Sequence, residues 1–255
     1  MTASSLLESP TNQHQLSNGR DIGLPIKYRN STGVVAHFPA PAKKIRELLP
    51  SENLVPVSFM PGVAVLSIAA LEYREVSDFE PYNEVSIMVP VQYRPSINLP
   101  GLPLLFHNHF KTFGFYVLHL PVDTQQSMDL GIELWGFPKF VADIEFVDDE
   151  KTRACRLNVR DELILELKVK KRKVKRTAKC YHTFTIFDKK LVRTKIETTE
   201  DSFTRRMMGG IELQLGDHPI ARQLSDLNFR PRAIEYSYAS TADSLLFPFD
   251  QQFDL

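Results

Sequence analysis

Apolar residues recur at every second position along most of this chain, and at helical spacing in only three stretches. Residues 54–73 are rich in Val, Ile, Leu, Ala and Phe and are punctuated by Pro56 and Pro61-Gly62, which predicts two consecutive strands joined by a tight turn. In residues 84–93, Val85, Ile87 and Val89 share one face, and Met88 keeps the other from being polar. A strand apolar on both faces is buried on both sides or faces an internal cavity. Residues 113–120 predict a further strand; 153–160, 163–174 and 179–187 read as a meander of antiparallel strands, and 192–198 adds another. A polar connection at 198–202 precedes short strands at 211–215 and 232–238.

The helical stretches are 41–49, 125–134 and 218–227. The first has Pro41 in its opening turn and an Ile45, Leu48, Leu49 stripe, and Pro50 stops it. The second is capped by Asp123 or Thr124, places Met128, Ile132 and Trp135 on one face and closes at Gly136. Asp217 caps the third, with Ile220, Leu224 and Leu227 aligned. Residues 94–106 carry Pro95, Pro100, Pro103 and Gly101 and read as a surface loop of the kind that often serves as a lid. Pro138 biases Phe137 toward extended backbone, so the chain turns there from helix to strand. In that strand Phe140, Ala142, Ile144 and Phe146 alternate with Val141, Asp143 and Glu145, and strict alternation would put Lys139 with Asp143 and Glu145 on the solvent side. Parity holds only once the ladder has begun.

Residues 1–20 read as a mobile arm or a strap over a neighbouring subunit, 21–240 as a single domain and 241–255 as a tail. Many strands with few, short helices predict an α+β, β-rich fold whose antiparallel sheets form a closed or partly closed barrel. The 255 residues, 43% hydrophobic and 24% charged, suffice for a large core. The formal charge is zero, so no global field favours nucleic acid or an anionic membrane. Cys155 and Cys180 are too few for a disulfide framework and lack metal-ligand spacing, which fits reduced thiols in the cytoplasm. The start shows no signal-peptide pattern, and no segment reaches eighteen uninterrupted apolar residues.

Three features carry candidate chemistry. The basic run at 168–179 lacks the basic domain and stacking aromatics that nucleic-acid binding pairs with such a run, so it reads as a solvated hairpin or an acidic subunit contact. His107-Asn-His109 offers two metal ligands without an evident third, so no metal is expected. Lys139 stands between Phe137-Pro138 and Phe140. A dry site disfavours an ammonium ion and favours the free amine, a nucleophile; the alternative is a lysine whose stem lies on apolar surface with its head in water.

Gly131-Ile-Glu-Leu-Trp-Gly-Phe-Pro-Lys139 resembles the Gly-x-Glu-Leu-x-x-(Tyr/Phe)-Pro-Lys signature of the acetoacetate decarboxylase family, in which that lysine forms a Schiff base. Tyr82-Asn-Glu84 with Val89-Pro90-Val91, and Leu213-Gln-Leu-Gly-Asp-His218, match further family segments in the same order, and the likeness runs from about residue 24 to 240. The resemblance implies a β-rich fold around a central cavity, a homo-oligomer, no organic or metal cofactor, a small keto acid or ketone as substrate, Lys139 as nucleophile and Glu84 as an active-site carboxylate. Trp135, Phe137 and Phe140 would line the pocket for a substrate bulkier or more apolar than acetoacetate. Phe140 stands where the decarboxylases have a second lysine, which leaves desolvation as the means of activating the first; the family is itself the standard example of lysine activation by these two devices. A further family glutamate falls near Ser67 or Ala69, and the arginine that holds the substrate carboxylate falls at Ser31, with Arg29 two residues away. The expected reaction is decarboxylation of a β-keto acid, with an imine-dependent aldol or dehydration step, or non-catalytic ligand binding, as alternatives.

Overall fold

The computed structural model describes residues 6–96, 100–105, 110–206 and 209–255. Seven long strands form its frame: β1 (Ile26–Pro41), β2 (Val63–Tyr73), β3 (Tyr82–Tyr93), β4 (Phe113–Val122), β5 (Lys175–Phe187), β6 (Lys190–Arg206) and β7 (Glu235–Phe253). They run around a barrel in the order β4-β5-β6-β7-β1-β2-β3, and antiparallel pairing of β3 with β4 closes it. β5 meets β4 in parallel, and the short strand Lys139–Val141 pairs in parallel further along β4.

The side-chain period of two explains why β3 is apolar on both faces. Val85, Ile87, Val89 and Val91 point outward into a dry core, while Tyr82, Glu84, Ser86 and Met88 line the barrel interior. The outer core is completed by an antiparallel sheet of Asp143–Asp148, Thr152–Val159, Glu162–Lys170 and Ile211–Leu215, which contributes Ile144, Leu157, Leu165, Leu167 and Val169. Each wholly buried side chain such as Ile68 or Ile87 contributes about 1.5–3 kcal/mol.

Four helices occur among the described residues: α1 (Ala42–Glu47), α2 (Leu102–Leu105), α3 (Gln125–Trp135) and α4 (Pro219–Asp226). The Thr124 hydroxyl of α3 accepts from the Ser127 N–H, and Gly136 ends the helix at φ 60°. A side chain at Gly136 would also come 2.3 Å from the Ile186 carbonyl oxygen, so glycine is required there twice over. The expected face of α3 is rotated, because Ser127, Leu130, Gly131 and Trp135 are buried and Ile132 is 44% exposed. The cap of α4 is His218, whose side chain accepts from the Ile220 N–H, while Asp217 pairs with Arg222 instead. Pro41 is the N-cap of α1 rather than part of its first turn.

Several extended segments differ from the sequence reading. Strand Glu162–Lys170 and β5 belong to different sheets, so the basic run is a crossover and not a hairpin; Lys171 pairs with Asp148, Arg176 with Asp201 and Lys179 with Glu200. Residues 198–202 continue β6, since Thr198 and Glu200 face the barrel interior, where polar residues have work. Residues 241–253 are the second half of β7 and not a tail; they pair with β6 and β1 and bury Leu245 and Leu246. Residues expected as an arm are docked: Asn12–Gln15 pairs with Asp21–Leu24, Leu6 and Leu16 are buried, and Ser17 donates to the Glu133 carboxylate. Residues 94–106 include α2, and Gly101 and Leu104 border the interior cavity.

Candidate active site

The barrel interior is a cavity of about 900 Å³. Lys139 enters it at the end covered by α3, and local backbone geometry puts it there. After the Gly136 cap, the Phe137 N–H donates to the Gly131 carbonyl, the Lys139 N–H to the Phe137 carbonyl and the Leu120 N–H to the Pro138 carbonyl. Lys139 is thus held in register with Leu120 at the start of a strand only three residues long. The Ala142 N–H donates to Val122, and from Asp143 the chain joins the outer sheet. Alternation with Asp143 and Glu145 therefore does not govern Lys139, because those residues belong to another ladder; both are exposed while the Lys139 side chain is 5% exposed.

Lys139 Nζ lies 2.9 Å from Glu84 Oε2, and the Glu84 side chain is 10% exposed. The Tyr73 hydroxyl donates to Glu84 Oε1 at 3.5 Å, a long bond, and the hydroxyls of Tyr28 and Tyr82 are 3.1 Å apart. The ring centroid of Tyr73 is 4.3 Å from that of Tyr28 and 4.9 Å from that of Tyr82, so the three rings form one cage. Lys139 Nζ sits 5.2 Å from the Tyr82 ring centroid and 5.9 Å from that of Phe137. Burial, reinforced by the Glu84 carboxylate, pushes the Tyr28 and Tyr73 hydroxyls well above the ordinary tyrosine range. Burial, then Tyr28 and then Glu84 do the same for Tyr82. All three are hydrogen-bond donors and not phenolates. Trp135 closes the wall with its indole N–H fixed on the Phe247 carbonyl at 2.8 Å, and its ring packs against Phe137.

Of the residues singled out from sequence, Lys139, Glu84, Trp135 and Phe137 meet at this end of the cavity. Phe140 does not. It follows Lys139 in the strand, points to the opposite face and packs against the outer core. Arg29 is exposed, in register with Glu75, and is not on the cavity wall. Ser31 and Ala69 are on that wall, so the positions where the resemblance implies an arginine and a glutamate do face the cavity, but hold uncharged residues. His107 and His109 lie outside the described residues. Among the described residues no cluster of three or more His, Cys, Asp or Glu could hold a metal, and no helix is long and apolar enough to cross a membrane. The thiols stand apart from the site: burial pushes Cys155 up to about 12 and raises Cys180.

Sequence reasoning missed Tyr28 and Tyr73, which come from β1 and β2, the strands next in order to β3. Tyr82 had a signal, since it precedes Glu84 by two and must share its face. A second polar group was also missed. Lys179 Nζ pairs with Glu200 Oε1 at 2.5 Å on the same cavity wall, near Tyr181 and His37. Lys179 had been absorbed into the basic run, although its spacing of two from Tyr181 places both on one face.

A sequence profile described as "Acetoacetate decarboxylase (ADC)" matches residues 9–247. No curated protein matches in sequence. Among solved structures, acetoacetate decarboxylase from Legionella pneumophila superposes with a TM-score of 0.63 at 18% identity, covering 89% of this chain and 86% of that one. A structure described as from structural studies of acetoacetate decarboxylase gives 0.66 at 16% identity, with 99% of each chain covered. The enduracididine biosynthesis enzyme MppR, complexed with the condensation product of pyruvate and imidazole 4-carboxaldehyde, gives 0.61 at 14% identity over 93% of this chain and 95% of that one. At such identities the superpositions establish a shared fold.

Proposed function

The chain belongs to the acetoacetate decarboxylase family, and from that premise we propose that it is a Schiff-base enzyme in which Lys139 attacks the carbonyl of a β-keto acid or related compound. The observation that carries this reading is the buried Lys139–Glu84 pair, 2.9 Å apart and walled by aromatic rings at the closed end of the cavity. Passing one proton across that bond gives a free amine and a carboxylic acid without drawing on solvent.

The amine adds to the carbonyl carbon to give a carbinolamine. Glu84, now protonated, returns its proton to the carbinolamine oxygen, which leaves as water while the nitrogen lone pair forms the iminium. In a β-keto acid the bond to the carboxylate carbon then breaks, its electron pair flows into the iminium to form an enamine, and carbon dioxide departs. One proton from water, relayed by Glu84, goes to the enamine carbon. Hydrolysis of the new iminium releases the ketone and restores the Lys139–Glu84 pair. Tyr73 steadies Glu84 by donating to its other oxygen.

A second reading is an imine-dependent aldol or dehydration step, and Ser31 and Ala69 favour it. With both positions uncharged, Lys139 is the only cation at the closed end among the described lining residues, and a substrate carboxylate finds no second cation there. The test is borohydride reduction with acetoacetate or a longer β-keto acid, followed by peptide mass spectrometry. A reduced adduct on Lys139 supports the reading, and carbon dioxide release separates decarboxylation from the aldol alternative. The absence of an adduct with every carbonyl compound tried would defeat both.

A further inference from the structure

The cavity does not end at Lys139. Of its lining residues Thr204 and Arg206 are exposed, so the cavity opens at their end of the barrel, remote from the aromatic wall. Just inside that mouth stand His37, Lys179, Tyr181, Glu200 and Glu235. His37 is in register through Ser67 with Met88, four residues along β3 from Glu84, or about 13 Å at roughly 3.3 Å per residue. Between the two groups the wall is mostly apolar, with Leu71, Met88, Phe115, Val117 and Ile196 beside the Ser86 hydroxyl.

Charges in the outer group are internally balanced: Lys179 is paired with Glu200 and Arg206 with Glu235 at 2.6 Å. His37 Nδ1 lies 2.8 Å from Ser67 Oγ, which leaves Nε2 as the ring atom for a ligand. Burial lowers the His37 pKa and outweighs the pull of Glu235, so the ring is neutral, while burial with Glu200 and Glu235 keeps Tyr181 protonated. On the outer part of the cavity wall Thr183 Oγ1 has no hydrogen-bond partner although the residue is 7% exposed; Ser31 Oγ, likewise unpaired, belongs to the Lys139 end. Thr183 shares its strand face with Tyr181 and Lys179. Buried polar atoms are normally satisfied, so unpaired ones on a cavity wall call for a polar ligand. A four-carbon keto acid would leave most of about 900 Å³ to water.

We infer that the substrate is an elongated carbonyl compound: its carbonyl reaches Lys139, its middle is apolar, and a neutral hydrogen-bonding group such as a hydroxyl sits at the other end among His37, Tyr181, Lys179 and Glu200. A charged tail would have to break one of the existing ion pairs, whereas a hydroxyl completes the set. This deepens the Schiff-base reading and rests on it for the position of the carbonyl.

The test titrates 2-undecanone and 11-hydroxy-2-undecanone against the protein under borohydride trapping and reads half-saturation of Lys139 labelling. One added neutral hydrogen bond is worth about three- to tenfold, and the hydroxyketone is expected to half-saturate at a concentration lower by that factor. In His37→Phe and in Tyr181→Phe the ratio between the two ketones should collapse toward one, a readout that cancels any general loss of protein. Equal half-saturation in the native protein, or an unchanged ratio in both variants, would overturn the inference. If neither ketone labels Lys139, calorimetric binding of the same pair reads the outer subsite, and the same ratio is expected; the Schiff-base reading is then decided by the β-keto acid labelling above.

Discussion

Lys139–Glu84 and Lys179–Glu200 are both lysine–glutamate pairs at hydrogen-bonding distance on the wall of one cavity, yet their surroundings differ in every respect that matters for reactivity. The first pair is 5% and 10% exposed and caged by Tyr28, Tyr73, Tyr82 and Phe137; the second is 22% and 12% exposed near the mouth. Lower local dielectric makes each proton shift in the inner pair more consequential, while water near the mouth screens the outer one. The inner lysine is also pinned, because Gly131 leaves no room for a Cβ beside its stem. A lysine next to a glutamate is not in itself a nucleophile; in the proposed reading dryness and fixed position make the difference, and both can be perturbed.

The largest expected separation comes from deleting each amine. Lys139→Met should lower borohydride-trapped labelling with a keto acid by roughly a thousandfold or more, as loss of a nucleophile does. Lys179→Met should lower it by no more than about tenfold, and comparable losses would erase the distinction. Neutralising each acid comes next. Glu84→Gln should slow labelling by about 10²–10⁴-fold through loss of proton transfer, and should cost about 3–5 kcal/mol in urea unfolding by stranding a buried cation. Glu200→Gln should cost about 1 kcal/mol or less.

Gly131→Ala tests fixation apart from dryness. The new Cβ would lie 2.6 Å from Lys139 Cδ and Cε and 3.2 Å from Nζ, so the lysine must swing aside. Labelling should fall about a hundredfold, the usual cost of misplacing a reacting group by an ångström. Unfolding free energy should change by less than about 1 kcal/mol, because the obstructing atoms end a flexible side chain and alanine suits a helix better than glycine. A large stability loss with normal labelling would reverse that assignment.

The smallest effect concerns the outer group. Burial lowers the His37 pKa, with Glu235 and Lys179 facing the ring, so the unfolded chain binds the proton more readily than the folded one. The stability contributed by neutral His37 is fully present above the unfolded value near 6.5 and is lost as pH falls below it toward the folded value. Urea unfolding at several values between pH 7.5 and 5.5 should show this decline, and His37→Gln should flatten it.

Much of this was legible in the chain. Period-two patterning located most of the barrel strands, and the stretch ending at Lys139 pointed to a lysine that the structure buries on the cavity wall beside Glu84. What escaped did so for identifiable reasons. Residues 198–202 are polar because Thr198 and Glu200 wall a cavity, and a polar strand facing inward looks like a loop in sequence; the second half of β7 looks like a tail because Asp250, Gln251 and Gln252 face solvent. Phe140 was placed in the pocket by adjacency, but neighbours in a strand point to opposite faces. Tyr73 reaches Glu84 through the register of β2 with β3, where it stands opposite Tyr82, and Tyr28 joins them from β1; that register is set by the pairing of strands and not by the pattern within either one.

One digest can compare the two lysines directly. The protein is reduced with borohydride in the presence of a β-keto acid, and the peptides carrying Lys139 and Lys179 are quantified side by side by mass spectrometry. The account predicts the reduced adduct on Lys139 and none above background on Lys179. An adduct on Lys179, or equal labelling of both, would contradict it.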